Sequence, residues 1–337
     1  MNLTPRKQDI LFGSVKSYIE SGQPVSSKEL AMEALDGKNL SSATIRNELS
    51  ALEEMGYLTK PHTSGGRLPT DKGLSLFIEH LVKTMPKKPK EIDEAVNKFT
   101  KSASYVSAVL RETANALSQK TNYPVVISID GVEHIVIRNI KLSLLLGGQA
   151  IVLIETNCGL IDPIFIDLEN GMNEESLRDV SNSLTNAFRD KTIKELIETV
   201  SEMAKEMNET LINYVLIYKK VAVMLKEYLE NLKRETYKAG TTKLLGTVDE
   251  KTEKEAIKLV EYIETADVFK DDIAKDAIEI RAGPETNPLD IRVKEDGTVI
   301  KTGLEIAGVR VANLAVVAPK RVDYVKVASV LLAMTRN

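Results

Sequence analysis

Between residues 38 and 70, KNLSSATIRNELSALEEMGYLTKPHTSGGRLPT, the apolar positions change from a helical to an extended period. Ile45, Leu49 and Leu52 are spaced four and three apart, so they form one stripe that must face a core. Ser41 is placed to cap this helix, and Leu40 with Ile45 forms a hydrophobic staple across the cap. At roughly 100° per residue, Ala43, Asn47 and Ser50 point away from the stripe, with Thr44 and Arg46 on its flanks. After Gly56, Tyr57–Lys60 reads as a short strand and His62–Arg67 as a hairpin tip, where Gly65 and Gly66 can take positive φ. Pro69 and Thr70 then start a helix running through Leu74, Phe77, Ile78 and Leu81.

The same periodicity runs upstream. Ile10, Leu11, Val15, Tyr18 and Ile19 mark a helix with Thr4 as cap, Pro5 in the first turn and Gly22 at its end. PVSSKELAMEAL follows, with a Ser26–Glu29 capping box and a Val25–Leu30 staple, and the turn DGKN separates it from Ser41. Three helices, a hairpin and a following helix make a winged helix-turn-helix over residues 1–85. MPKKPKE has no apolar period and begins a linker and connecting helix, 86–120, whose apolar positions include Ile92, Val96, Phe99, Val106, Val109 and Leu110. Downstream, VVISID, HIVIRNIKL, AIVLIET and LIDPIFIDL are β-branched strands between turns, and a helix runs from about Asn173 to Arg189. Strand signals vanish from 192 to 275 and resume in AIEIRAG, PLDIRVK and NLAVVAPKR before a last helix from Asp323. The fold class expected is multidomain α+β: an α+β domain over 121–191 and 276–337, interrupted by a helical insertion at 192–275. Two small domains in place of one interrupted domain is the other arrangement these patterns allow.

Composition narrows the class without changing this outline. A hydrophobic content of 43% and a charged content of 28% are those of a soluble globular chain, and 337 residues fit two or three domains. The single cysteine, Cys158, excludes an internal disulfide framework. No apolar run approaches the ~20 residues of a membrane span, and MNLTPRKQDIL lacks the marks of a signal peptide, so a cytoplasmic protein with no membrane partner is expected. Residues 1–90 hold 13 Lys+Arg against 10 Asp+Glu, whereas the other 247 hold 32 against 39, a mildly basic head on an acidic body.

Catalytic chemistry is poorly represented. His62, His80 and His134 are scattered, Cys158 has no nucleophile signature around it, and no phosphate-cradling loop is present. No enzyme, metal or cofactor is expected. The positive signal is the third helix, of the kind that enters a DNA major groove. Arg46 is suited to guanine O6/N7 and Asn47 to adenine N6/N7. Ser41, Ser42, Thr44 and Ser50 surround them as further DNA-facing candidates, Ser42 and Thr44 as phosphate ligands. On the wing, Lys60, His62, Thr63, Ser64 and Arg67 offer charge and donors to the backbone or minor groove. A winged helix serving protein contacts is the competing reading, with Arg46 paired to Ser50 or an acidic neighbour.

LSSATIRNELSALEEMGYLTKPHTSGGRLPTDKG resembles the N-terminal signature of the heat-inducible transcription repressor HrcA family. LSQKTNYPVV (117–126), TYKAGTTKLLG (236–246) and NLAVVAPKRVDYVKVASVL (313–331) extend the resemblance along the chain, with Thr242 where Asn is usual and Ala and Lys in ANLAVVAPKR where Gly and Thr are usual. The resemblance implies a GAF-like α+β domain with a helical dimerisation domain inserted in it. It further implies repression of chaperone operons (groE and dnaK type) through double-stranded DNA carrying an inverted-repeat operator, the CIRCE element, and an activity modulated by a GroE-type chaperonin. Such a protein is nucleoid-associated when bound. A homodimer also follows from size, since one head buries only ~600–1,000 Å² and a palindrome demands a two-fold partner. Tyr214, Leu216, Val223, Leu225 and Leu229 are candidates for the dimer face, with an intramolecular core as the equal alternative. A metabolite-responsive regulator using the GAF-like domain as sensor is the runner-up, and an enzyme with a DNA-binding appendage a third reading.

Overall fold

The computed structural model describes residues 3–32, 40–61, 65–84, 105–168, 172–203, 212–247, 253–265, 268–269, 278–282, 288–294 and 297–334. His62, Thr63, Ser64, the DGKN turn and the segment 85–104, with MPKKPKE, Ile92, Val96 and Phe99, lie outside them. The chain divides into two compact units, one of residues 1–88, 242–301 and 316–332, the other of 89–241, 302–315 and 333–337.

The first unit begins with the head. Helix α1 spans Pro5–Ser21; the Thr4 hydroxyl accepts from the Lys7 amide, and Gly22, in the left-handed region, closes the helix onto the Tyr18 carbonyl. Helix α2, Ser27–Met32, enters through the reciprocal box: the Ser26 amide donates to Glu29 Oε2 at 2.7 Å and the Glu29 amide to Ser26 Oγ at 3.3 Å. Helix α3, Ser42–Glu54, is capped by Ser41. Strands β1, Leu58–Thr59, and β2, Leu68–Pro69, form the antiparallel wing, and helix α4 spans Asp71–Thr84. Pro69 therefore ends a strand and does not start a helix. Its missing N–H costs nothing at the end of a two-residue edge strand, and Thr70 Oγ1 caps α4 by accepting from the Gly73 amide. The head core includes Ile10, Leu11, Val15, Leu30, Ile45, Leu49, Leu52, Phe77 and Ile78.

Wing geometry differs from expectation in one respect. Neither Gly65 nor Gly66 takes a positive φ. Gly66 is instead a close approach: a Cβ there would lie 2.6 Å from the Pro24 carbonyl oxygen. The approach is made by a backbone pair, in which Val25 and Arg67 exchange N–H···O bonds of 2.8 and 2.9 Å and tie the wing to the entry of α2.

Elsewhere in this unit, helix α9 (Glu253–Thr265), strands β9 (Ile278–Ala282) and β10 (Leu289–Lys294), and helix α10 (Tyr324–Met334) join parts of two long strands, β11 (Gly297–Ile306) and β12 (Val309–Ala318). Here the strand order is β12-β11-β10-β9. The head rests on this layer: α4 packs on β9, and Lys320 pairs with Asp71, in the first turn of α4, at 2.6 Å. Tyr324 is fully buried, with its hydroxyl 2.9 Å from Thr298 Oγ1.

The second unit holds helix α5 (Val106–Thr121), β3 (Val125–Ile129), β4 (Ile137–Leu144), β5 (Gln149–Thr156), β6 (Gly159–Leu160), β7 (Ile164–Asp167), α6 (Glu174–Phe188), α7 (Ile193–Met203), α8 (Ile212–Leu232) and β8 (Thr236–Ala239). Strand β5 pairs with β4, β6 and β7, while β8 pairs with β3, which neighbours β12. Two hydroxyls of α6 seal the outer edge of β4: Thr185 Oγ1 accepts from the Ile140 amide and Ser181 Oγ from the Leu142 amide. That protects a strand edge which would otherwise offer free pairing groups. Strand β8 falls inside the stretch read as wholly helical, and its four residues are too few to carry a period. Leu225 and Leu229 are buried within this one chain, whereas Leu216 is half-buried and Val223 is 54% exposed. The side chain of Tyr214 lies outside the described residues.

Candidate nucleic-acid interface

The third helix of the head is turned as its amphipathic pattern requires. Ile45, Leu49 and Leu52 are fully buried, and Ala43, Arg46 and Asn47 are exposed on the opposite side. Ser41 Oγ accepts from the Thr44 amide at 3.1 Å and lies 2.9 Å from Thr44 Oγ1, so both hydroxyls are engaged in the cap. Ser42 Oγ sits 3.1 Å from Ser27 Oγ and ties the start of α3 to α2. The exposed first turn keeps the amides of Ser42 and Ala43 without intrahelical acceptors, the arrangement that binds phosphate at helix N-termini.

Among the described residues Arg46 and Asn47 have no side-chain partner. Ser50 donates to the Arg46 carbonyl oxygen at 3.1 Å, so the pairing of the Arg46 guanidinium with Ser50 that the sequence allowed is not made. Lys60 is exposed at the end of β1. Arg67 lies differently from Lys60: its side chain is 13% exposed and folded onto α3. Nε and a terminal nitrogen donate to Glu53 Oε2 at 3.2 and 3.1 Å, and that terminal nitrogen also reaches Ser50 Oγ at 3.3 Å. The other terminal nitrogen donates to the Gly65 carbonyl at 3.2 Å.

Glu48 has no forerunner in the sequence reading. It lies where α3 meets α1, 9% exposed, with Arg6 Nε at 2.8 Å and Lys7 Nζ at 2.7 Å. The Lys7 hydrogen bond holds its carboxyl below the usual carboxylate value, both cations adding to the effect and burial opposing it. Two basic residues of α1 are thereby committed to orienting α3. A carboxyl depressed in the folded state contributes stability that is complete above its unfolded value and lost as pH falls through the folded one. Head stability should therefore decline below about pH 4.5. Glu48→Gln should make that acid decline shallower and cost about 1 kcal/mol at neutral pH, between the values for charged and for exposed pairs. Urea midpoints of amide protection in α1 and α3, taken against pH in the full chain, check both; an acid decline as steep as wild type would refute the assignment.

Chemistry elsewhere is quiet. Burial pushes the Cys158 thiol up to about 12, and its Sγ donates to the Ile306 carbonyl oxygen at 3.2 Å, the opposite of an activated nucleophile. Among the described residues no group of three His, Cys, Asp or Glu side chains could hold a metal, and no helix is long and apolar enough to cross a membrane.

Residues 16–77, from mid-α1 through the wing into α4, match the family of the ribonuclease R winged-helix domain. Residues 107–328 match the HrcA protein C-terminal domain. The chain belongs to the HrcA family. Curated relatives described as heat-inducible transcription repressor HrcA match it end to end: the protein of Brevibacillus brevis is 29% identical over 98% of this chain and 95% of its own length. That of Pelotomaculum thermopropionicum is 27% identical over 100% and 96%. A crystal structure of a hypothetical protein at 2.2 Å resolution shares the fold, with a TM-score of 0.60 at 22% identity and 98% of each chain covered. As an HrcA-family transcription repressor, the chain carries a winged-helix head whose exposed α3 surface faces outward.

Proposed function

We propose that this chain represses heat-shock chaperone operons by binding, as a homodimer, an inverted-repeat operator of the CIRCE type, with its activity modulated by a GroE-type chaperonin. The observation that carries the reading is the outward face of α3, where Arg46 and Asn47 stand exposed and without partners among the described residues, beside Ala43, on a helix anchored by three buried aliphatics. A small residue between a guanidinium and an amide lets a helix approach base edges closely, and both side chains offer bidentate geometry. In this reading Ser41, Ser42, Thr44 and the first-turn amides meet flanking phosphates, and Lys60, His62, Thr63 and Ser64 supply backbone contacts.

A palindromic site requires two such heads, one per half-site, spaced by whole turns of roughly 34 Å. The helical block 192–275, inserted in a GAF-like body of 121–191 and 276–337, supplies the two-fold contact in this proposal. Leu225 and Leu229 serve the chain's own core, and among the described side chains of the candidates Val223 is the exposed apolar one on α8. Purified full-length protein should shift an inverted-repeat duplex in preference to a scrambled duplex of equal composition. It should run as a dimer in sedimentation, and binding should respond to added chaperonin. Equal affinity for both duplexes would remove the reading.

A further inference from the structure

Of the two wing candidates among the described residues, Lys60 is exposed whereas the Arg67 side chain is folded inward, and its contacts have a common direction. Its guanidinium meets Glu53 and Ser50 on the C-terminal half of α3 and the Gly65 carbonyl at the wing tip, while its backbone pairs with Val25 before α2. One residue thus touches the reading helix, the wing and the entry of the neighbouring helix. The Cβ-free Gly66 beside it lets the wing close onto Pro24.

We propose that Arg67 is a positioning residue that sets the angle between the wing and α3, rather than a phosphate ligand; this rests on the DNA-binding reading above. A guanidinium with its donors spent on a carboxylate, a hydroxyl and a carbonyl has little left to offer a phosphate without breaking the wing's attachment. Planar forked donors suit such a node, because they fix direction as well as distance. The base contacts of Arg46 and Asn47 and the backbone contacts of Lys60 can be made together only if helix and wing keep one relative orientation. Arg67 therefore acts on sequence discrimination through other residues.

The two roles predict different salt behaviour. Loss of a phosphate contact lowers the slope of log affinity against log salt by about 0.9 and weakens all duplexes alike. Loss of a positioning residue leaves the slope and reduces the preference for the correct sequence. The test uses the full chain as wild type, Arg67→Ala, Arg67→Lys and Glu53→Gln, titrated with inverted-repeat and scrambled duplexes from about 50 to 200 mM salt. Amide exchange at Val25 and Arg67 is measured in parallel without DNA.

All three variants should keep the wild-type slope and lose about ten- to a hundredfold of their discrimination, the equivalent of one bidentate base contact. Lysine should not rescue, since it restores charge without the fork. Exchange at Val25 and Arg67 should speed up in each. The proposal is overturned if Arg67→Lys binds as wild type, if Arg67→Ala lowers the slope with discrimination intact, or if Glu53→Gln tightens binding by releasing the arginine. Should Arg67→Ala fail to fold, Glu53→Gln decides by the same criteria. Failure of the DNA reading itself would show separately, as wild type without sequence preference, and the exchange measurement would still judge the positioning role.

Discussion

Arg46→Ala should weaken binding of the inverted-repeat duplex by about 1–3 kcal/mol for each half-site, so that a two-headed complex loses about 2–6 kcal/mol, with little change for scrambled DNA. The expectation rests on exposure and freedom: the guanidinium is solvent-facing and has no partner among the described residues, so its removal leaves the head intact. Asn47→Ala should behave alike but relax discrimination at an adenine position rather than a guanine. Competition titrations with operators altered one base pair at a time would assign each side chain to its base. A loss of equal size on scrambled DNA would move Arg46 from base reading to phosphate binding. Unchanged affinity for the operator would remove it from the interface.

The second large effect is on stability. Leu49→Ala should destabilise the head by about 2–5 kcal/mol, because it empties a fully buried site on the core-facing stripe of α3. Against the marginal stability of folded domains such a loss is large. Operator binding should disappear while the second unit keeps its structure, since its core is separate from the head. Hydrogen exchange resolved by segment distinguishes this from global unfolding. Protection should vanish in α1 and α3 and persist in α6, β4 and β5. Loss of protection throughout would show that the two units fold as one cooperative body.

Local rules account for most of what the sequence revealed. Thr4, Ser26 with Glu29, Ser41 and Asn173 all cap the helices they were read to cap or begin, since a cap bond spans three residues and its partners are adjacent in the chain. The stripe Ile45, Leu49 and Leu52 is buried as its spacing demands. Strands bounded by turns were legible for the same reason, with LIDPIFIDL divided at Pro163 into β6 and β7. The short β8 was not, because four residues between helices hold no measurable alternation.

In the candidate interface the division is similar. That Asn47 faces outward and Arg46 lies on the flank of the buried stripe follows from helical geometry alone, and the sequence determined it together with the winged module and its caps. Tertiary structure decided which polar residues are free to meet DNA. Glu48 and Lys7 are 41 positions apart, and Arg67 and Glu53 are 14 apart; in both pairs the partners belong to different elements, which no local period links. Nothing local marks Gly73, yet a Cβ there would stand 2.2 Å from the Tyr57 carbonyl oxygen, where α4 crosses the start of the wing. Leu225 and Leu229 could equally have served a partner or their own chain until the packing of α8 placed them inside. Hydrogen bonds within a few residues are dictated by the backbone that connects them. Contacts across long loops depend on how packed surfaces meet, and only the folded chain fixes that.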